Sequence, residues 1–243
     1  METVAIDTRL DGRLAVLVRP AAPGPWPGVV MVHELFGLDD VLRRQADRLA
    51  AAGFVVLAPD LLGDGPRLRC LRATFRALAA REGAPFDLLQ RAREQLLADR
   101  RVNGKVGVIG FCMGGGFALV LSSDGFDASA VNYGMIPEDV EEVLGGACPV
   151  VASYGGRDRQ LVRQVPRLRA ALESNHVPYD LEVYPTAGHS FLNDAPNGPR
   201  ALRPLLRVAH VGPEPAAAAD AWRRIEAFFG VHLAADAGVG PPS

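Results

Sequence analysis

The chain has 243 residues, 49% hydrophobic and 22% charged, which suits one domain with a sizeable core better than two half-length domains. A formal net charge of −2 offers no basic excess to nucleic acid or an anionic membrane, so the expected partner is a small molecule. Cys70, Cys112 and Cys148 cannot all pair within the chain, no apolar run approaches the roughly 20 residues of a membrane span, and residues 1–7 lack a signal peptide's basic start, so a reducing cytoplasm is the expected location.

Residues 3–9 and 12–18 alternate apolar and polar side chains around Asp11-Gly12, which predicts an antiparallel hairpin at a sheet edge. Further strands are expected at 28–32, 54–58, 105–109, 128–133, 150–154 and 181–184, several of them continuous apolar runs as in strands buried on both faces. Helical spacing marks 41–52, 68–80, 86–98, 116–121, 162–174 and 216–229. Alternation of strand and helix predicts a mostly parallel sheet of about eight strands with helices on both faces, an α/β-hydrolase fold, with a flavodoxin-like sheet as the competitor. Residues 1–233 are expected to form a single domain and 234–243 a flexible tail. The Pro- and Arg-rich stretch 195–215 is long for a connection and follows His189, so it is expected to border a site.

Between the fifth strand and the next helix stands Gly110-Phe111-Cys112-Met113-Gly114. A G-x-C-x-G turn there holds its central residue in a strained conformation above the sheet, and the helix N-terminus behind it favours a thiolate. Cys70 and Cys148 lack such a frame. Gly155-Gly156-Arg157-Asp158 follows the 150–154 strand, and Pro185-Thr186-Ala187-Gly188-His189 follows the last one. C-terminal ends of parallel strands share one edge, so Cys112, Asp158 and His189 are expected to converge as nucleophile, acid and base, in the chain order of α/β-hydrolases. Asp60 is the rival acid, and among the other histidines only His33 sits at a strand end, with His176, His210 and His232 elsewhere.

His33-Glu34-Leu35-Phe36-Gly37 follows the 28–32 strand. The backbone N–H groups of Leu35 and Met113 are the expected oxyanion hole. Glu34 is the unusual member, a carboxylate beside a thiol nucleophile. Phe36, Phe111, Phe191 and Tyr133 flank these segments and are candidates for an apolar pocket wall.

Together the H-E-x-F-G loop, the G-x-C-x-G-G elbow, the G-G-x-D strand end and the A-G-H-S-F segment resemble the dienelactone hydrolase family from about Thr3 to Leu233. The resemblance implies a Cys-His-Asp triad, a thioester acyl-enzyme, neither cofactor nor metal, and activity on lactones such as dienelactone. It implies that Glu34 influences or deprotonates the thiol when substrate arrives. Such enzymes hold a substrate carboxylate with arginines, one of them four residues after the catalytic His, where this chain has Asn193. In the segment after Asp60 the family offers an arginine and an aromatic, and here Arg67, Arg69, Arg72 and Arg76 leave the register open. The reading is thus a hydrolase of a small ester or lactone, monomeric or a small homo-oligomer, with a non-catalytic hydrolase-fold protein or an amidotransferase- or DJ-1-like cysteine enzyme as alternatives.

Overall fold

The computed structural model describes residues 1–196 and 209–235. Eight strands form one sheet: β1 (Thr3–Leu10), β2 (Arg13–Pro20), β3 (Trp26–Val32), β4 (Val55–Pro59), β5 (Val102–Phe111), β6 (Ser129–Asn132), β7 (Val150–Gly155) and β8 (Tyr179–Tyr184), in the order β1-β2-β4-β3-β5-β6-β7-β8. β2 runs antiparallel to both β1 and β4, while β3 to β8 are mutually parallel. This is the expected α/β-hydrolase sheet. Every residue of β4, β6 and β7 is buried. Strands covered on both faces can be valine-rich without alternation, because neither side meets water.

The helices among the described residues are α1 (Asp40–Ala51), α2 (Arg67–Ala80), α3 (Ala84–Ala98), α4 (Met113–Leu121), α5 (Val140–Val143), α6 (Arg159–Val162), α7 (Val165–Ser174) and α8 (Pro215–His232). α1 starts where Asp39 accepts from the Leu42 N–H at 2.9 Å and buries Val41, Leu42, Ala46 and Leu49 along one stripe. α8 starts similarly, with the Glu214 side chain capping the Ala217 N–H and Pro215 in the first turn. None of these helices is long and apolar enough to cross a membrane.

The structure differs from the sequence-based expectation in three places. The helix expected over 162–174 is α7, starting at Val165 because Pro166 lacks an N–H and is accommodated only in a first helical turn, with the separate turn α6 before it. The short α5 was not expected. α4 begins at Met113 rather than 116, its three glycines being helical because they are pressed against the sheet: a Cβ on Gly115 would lie 2.6 Å from the Asn132 carbonyl oxygen. Packing outweighs the low helix propensity of glycine there. The stretch 197–208 and the tail from 236 lie outside the described residues.

Chain order determines where a site can form. After β3 the chain moves to β4 on one side, whereas after β5 it moves to β6 on the other. Loops leaving the C-terminal ends of β3 and β5 therefore diverge and open a crevice at this switch point. The β3 loop carries His33 to Gly37, and β5 leads directly into Cys112.

Candidate active site

Cys112 is the N-cap of α4, with φ 55° and ψ −116°. This left-handed backbone is costly for a non-glycine residue and is maintained by its surroundings. The Cys112 N–H donates to the Asn132 carbonyl at 3.1 Å, and the first turn of α4 abuts β3 so closely that any Cβ on Gly114 would collide with the Val32 carbonyl. The same glycine approaches the His33 carbonyl, so the start of α4 lies against the beginning of the β3 loop. Among the described residues the Leu35 and Met113 N–H groups donate to no other group of the chain, as expected for a helix's first residue and a loop.

The acid and base candidates come from the next two strand ends. Asp158 caps α6, its Oδ1 accepting from the Leu161 N–H at 3.2 Å, while its Oδ2 lies 2.7 Å from Nδ1 of His189. Burial alone would raise the Asp158 pKa, but the His189 hydrogen bond and backbone N–H groups outweigh it and hold the carboxyl below its ordinary value. Burial likewise opposes charge on His189, yet its hydrogen bond to Asp158 and the nearby Cys112 sulfur push its pKa up to about 10. Cys112, Asp158 and His189 line one cavity of about 1000 Å³.

His189 is held by close backbone packing. A Cβ on Gly188 would collide with the His210 carbonyl. The Gly212 N–H donates to the His189 carbonyl at 2.8 Å, and Val211 pairs with His189 as an isolated bridge. Residues 209–212 thus lie beside His189, and Ala209, His210 and Val211 line the cavity.

The rival acid and base lie side by side instead, at the end of β4. His33 is fully buried; its Nδ1 donates to the Glu34 carbonyl at 2.6 Å, and its Nε2 accepts from the Leu61 N–H at 3.0 Å, with Asp60 Oδ1 at 3.4 Å. An Nε2 that accepts from an amide identifies the neutral Nδ1–H tautomer. The Leu61 N–H to His33 hydrogen bond ties the β3 loop to the end of β4. Arg67 braces the same loop, donating to the Leu35 carbonyl at 2.9 Å with its guanidinium 5.8 Å from the Phe36 ring centroid.

The structure separates the remaining sequence-predicted residues from the cavity wall. Phe111 and Phe191 are 0% exposed and form a supporting tier beneath Tyr133, at ring-centroid distances of 6.4 and 5.6 Å. Phe36 lines a different cavity, beside Asp60 and Leu62. Asn193 is buried, donating to Glu34 Oε2 at 3.3 Å and accepting from Gln45 Nε2 at 2.9 Å. It therefore faces Glu34 and not the cavity. Glu34 itself is buried.

Tyr133, weighed from the sequence only as wall, has φ 40°, is fully buried and places its ring 5.1 Å from the His189 ring. Burial, then the negative charges of Glu34 and Cys112, push its phenol well above the ordinary range, so it stays a neutral donor. His210, set aside from the sequence, lines the cavity, as do Phe75, Arg157 and Arg159. The arginines could have been found in the sequence because they flank Asp158. Phe75 could not, because helix register decides which side of α2 faces the site. Arg69, Arg72 and Arg76 line a separate groove. Among the described residues no cluster of three or more His, Cys, Asp or Glu could hold a metal ion.

The family model described as "Dienelactone hydrolase family" matches residues 14–233. A "Putative carboxymethylenebutenolidase" of Saccharolobus solfataricus is 28% identical over 243 residues, 84% of this chain and 89% of that protein. A protein of the same name from Escherichia coli (strain K12) is 26% identical over 247 residues, 93% of this chain and 84% of that one. The fold is shared with a dienelactone hydrolase-like promiscuous phosphotriesterase from metagenomic libraries, at TM-score 0.76 and 24% identity, covering 96% of this chain and 99% of that one. With a match over nearly its whole length, the chain belongs to the dienelactone hydrolase family and is a hydrolase of carboxylic esters or lactones.

Proposed function

We propose that the chain cleaves its ester or lactone through a cysteine triad and a thioester acyl-enzyme, without a cofactor. The observation that carries this reading is the 2.7 Å contact between His189 Nδ1 and Asp158 beside a cysteine on a strained elbow in the same cavity. Cys112 Sγ attacks as a thiolate, its proton held on His189, and forms a bond to the carbonyl carbon. The carbonyl oxygen gains the negative charge and is met by the N–H groups of Leu35 and Met113. His189 Nε2–H then protonates the alcohol oxygen as the C–O bond breaks, which leaves a thioester on Cys112. Water attacks the thioester, giving its proton to His189, and the acid departs as the thiolate returns.

Asp158 keeps the imidazole in the Nδ1–H orientation, so that Nε2 faces the reacting bond. Glu34 and Tyr133 act beside the sulfur; the family resemblance gives Glu34 an influence on the thiol when substrate arrives. In a lactone the acid and alcohol remain one molecule, so ring opening releases a single hydroxy acid or its keto tautomer. Incubation with a p-nitrophenyl ester and with dienelactone tests the reading. Turnover of at least one is expected, with an acyl adduct on Cys112 detected by mass spectrometry after an acid quench. Full activity in Cys112→Ala, or no turnover of any small ester or lactone, would refute it.

A further inference from the structure

The apolar stripe that α1 turns to the core contains one polar residue. Gln45 is buried alongside Leu42, Ala46 and Leu49, at a position where helical spacing favours an aliphatic side chain. A buried amide without a partner is costly, and this one reaches Asn193. Gln45 Nε2 donates to Asn193 Oδ1 at 2.9 Å, and Asn193 Nδ2 donates to Glu34 Oε2 at 3.3 Å. Neither Gln45 nor Asn193 lines the catalytic cavity.

The direction of these two bonds follows from their chemistry. A carboxylate offers only acceptors, so Asn193 presents its N–H groups to Glu34 and its oxygen to Gln45. The two ends of an asparagine amide are alike in size, so shape alone does not choose between them. The Gln45 N–H does.

The surrounding contacts hold the pair in place. Arg44, the residue before Gln45, donates from Nη2 to Oδ1 of Asp194, the residue after Asn193, at 2.8 Å. Two consecutive residues of α1 thus hold two consecutive residues of the turn that follows His189, and the Asn193 N–H closes that turn on the Ser190 carbonyl at 3.2 Å. α1 itself comes next in the chain after the β3 loop that carries Glu34.

Glu34 stands beside the reacting sulfur. Burial first, then the charges of Glu34 and Cys112, raise the Tyr133 phenol, so the three groups are close neighbours. In sheet order Glu34, after β3, and His189, after β8, flank β5, the strand that ends at Cys112. An imidazolium favours a nearby thiolate, and a carboxylate opposes one.

We propose that Gln45 is a positioning residue: its N–H orients the Asn193 amide, and that amide holds the Glu34 carboxylate as an acceptor beside Tyr133 and the Cys112 sulfur. The assignment rests on the reading of Cys112 as nucleophile with Glu34 acting on it. A neutral amide holds a carboxylate less strongly than a guanidinium does, so its orientation decides whether the contact attracts or repels. With the Gln45 N–H deleted, the Asn193 amide is released to turn its oxygen to Glu34, and the carboxylate leaves its place or takes a proton. Either change weakens the negative charge that faces the sulfur.

Gln45→Met keeps an unbranched side chain of similar length and deletes the donor. Alkylation of Cys112 by iodoacetamide, followed by mass spectrometry of its peptide between about pH 4 and 9, reads the thiolate directly. Its midpoint should move to lower pH by about half a unit or more in Gln45→Met, with kcat for p-nitrophenyl acetate down about threefold or more and KM changed by less than about twofold. Glu34→Gln removes the carboxylate, so adding Gln45→Met to it should move the midpoint no further. Arg44→Gln, which breaks the Asp194 contact instead, should leave the midpoint at the wild-type pH. Thermal melts check folding, and Gln45→Leu repeats the measurement with another apolar side chain on the same stripe. A wild-type midpoint in folded Gln45→Met or Gln45→Leu, a shift to higher pH, a shift that persists on Glu34→Gln, or an equal shift in Arg44→Gln overturns the inference. Any of these with Cys112→Ala inactive sinks it alone, whereas full activity in Cys112→Ala sinks it together with the cysteine reading.

Discussion

Nδ1 of His189 lies 2.7 Å from Oδ2 of Asp158, two side chains delivered by neighbouring parallel strands from positions 31 residues apart. The contact fixes one nitrogen of the imidazole and leaves the other for Cys112. Replacing the acid while preserving its shape isolates this role. Asp158→Asn should keep the fold but lower kcat toward an active ester by about 10³- to 10⁴-fold, with a much smaller change in KM. Steady-state kinetics, with circular dichroism to confirm folding, measure this. A loss under tenfold would remove Asp158 from the mechanism.

The same contact makes stability depend on pH. His189 is raised to about 10 in the folded chain from an ordinary 6.5. A raised pKa contributes stability in full below the unfolded value and loses it as pH climbs through the folded one. The stability gap between wild type and His189→Gln should therefore narrow between about pH 6.5 and 10, by about 1 kcal/mol or more. Urea unfolding at pH 6, 8 and 10 reads it; a constant or widening gap contradicts the assignment. Asp158, whose pKa is lowered, contributes in the opposite sense and loses its contribution as pH falls through the acid range.

Two glycines should answer an added methyl oppositely. Gly188→Ala drives a Cβ into the His210 carbonyl, so it should destabilise the chain by about 1–3 kcal/mol and displace the segment beside His189, lowering activity. Gly230 lies in α8, and a Cβ there meets nothing within 4 Å. Gly230→Ala should stabilise by about 0.5–1 kcal/mol without altering kcat. Thermal melts of the two variants check both signs.

The buried His33 supports the β3 loop through the Glu34 carbonyl and the Leu61 N–H. His33→Leu removes these partners and leaves buried polar groups unpaired, at a cost of about 2–3 kcal/mol. If the Leu35 N–H is an oxyanion donor, kcat should fall by about 10- to 100-fold as the loop loosens, with KM little changed. Unchanged kcat in a folded variant would place the loop outside the chemistry.

Tyr133→Phe keeps the ring against His189 and deletes only the hydroxyl that faces Glu34 and Cys112. Stability should change by less than about 1 kcal/mol, because the Tyr133 hydroxyl is buried without a well-formed hydrogen bond. The pH dependence of kcat/KM should shift, and a profile identical to wild type would make Tyr133 purely a packing residue.

Much of the molecule was legible in the residues themselves. Continuous apolar runs at 28–32 and 150–154 read as strands covered on both faces, and the turn residues between Arg9 and Arg13 close a hairpin. The G-x-C-x-G frame placed Cys112 at a strand-to-helix turn, because only glycine permits backbones to approach as they do there. Local signals with a fixed spacing reach this far, and together they established the strands, the elbow and the edge on which the candidate site lies.

What the tertiary structure alone decided is which side chains face that edge. Phe111 and Phe191 sit next to the chemistry in sequence and beneath it in space, whereas Phe75 and His210, distant in sequence, line the cavity. Asn193 turns inward to Glu34, and the arginines of α2 turn away while Arg157 and Arg159 remain on the wall. The physical reason is that a side chain's direction depends on strand register and helix rotation, which are set by packing across the whole sheet and not by the residue's own neighbours.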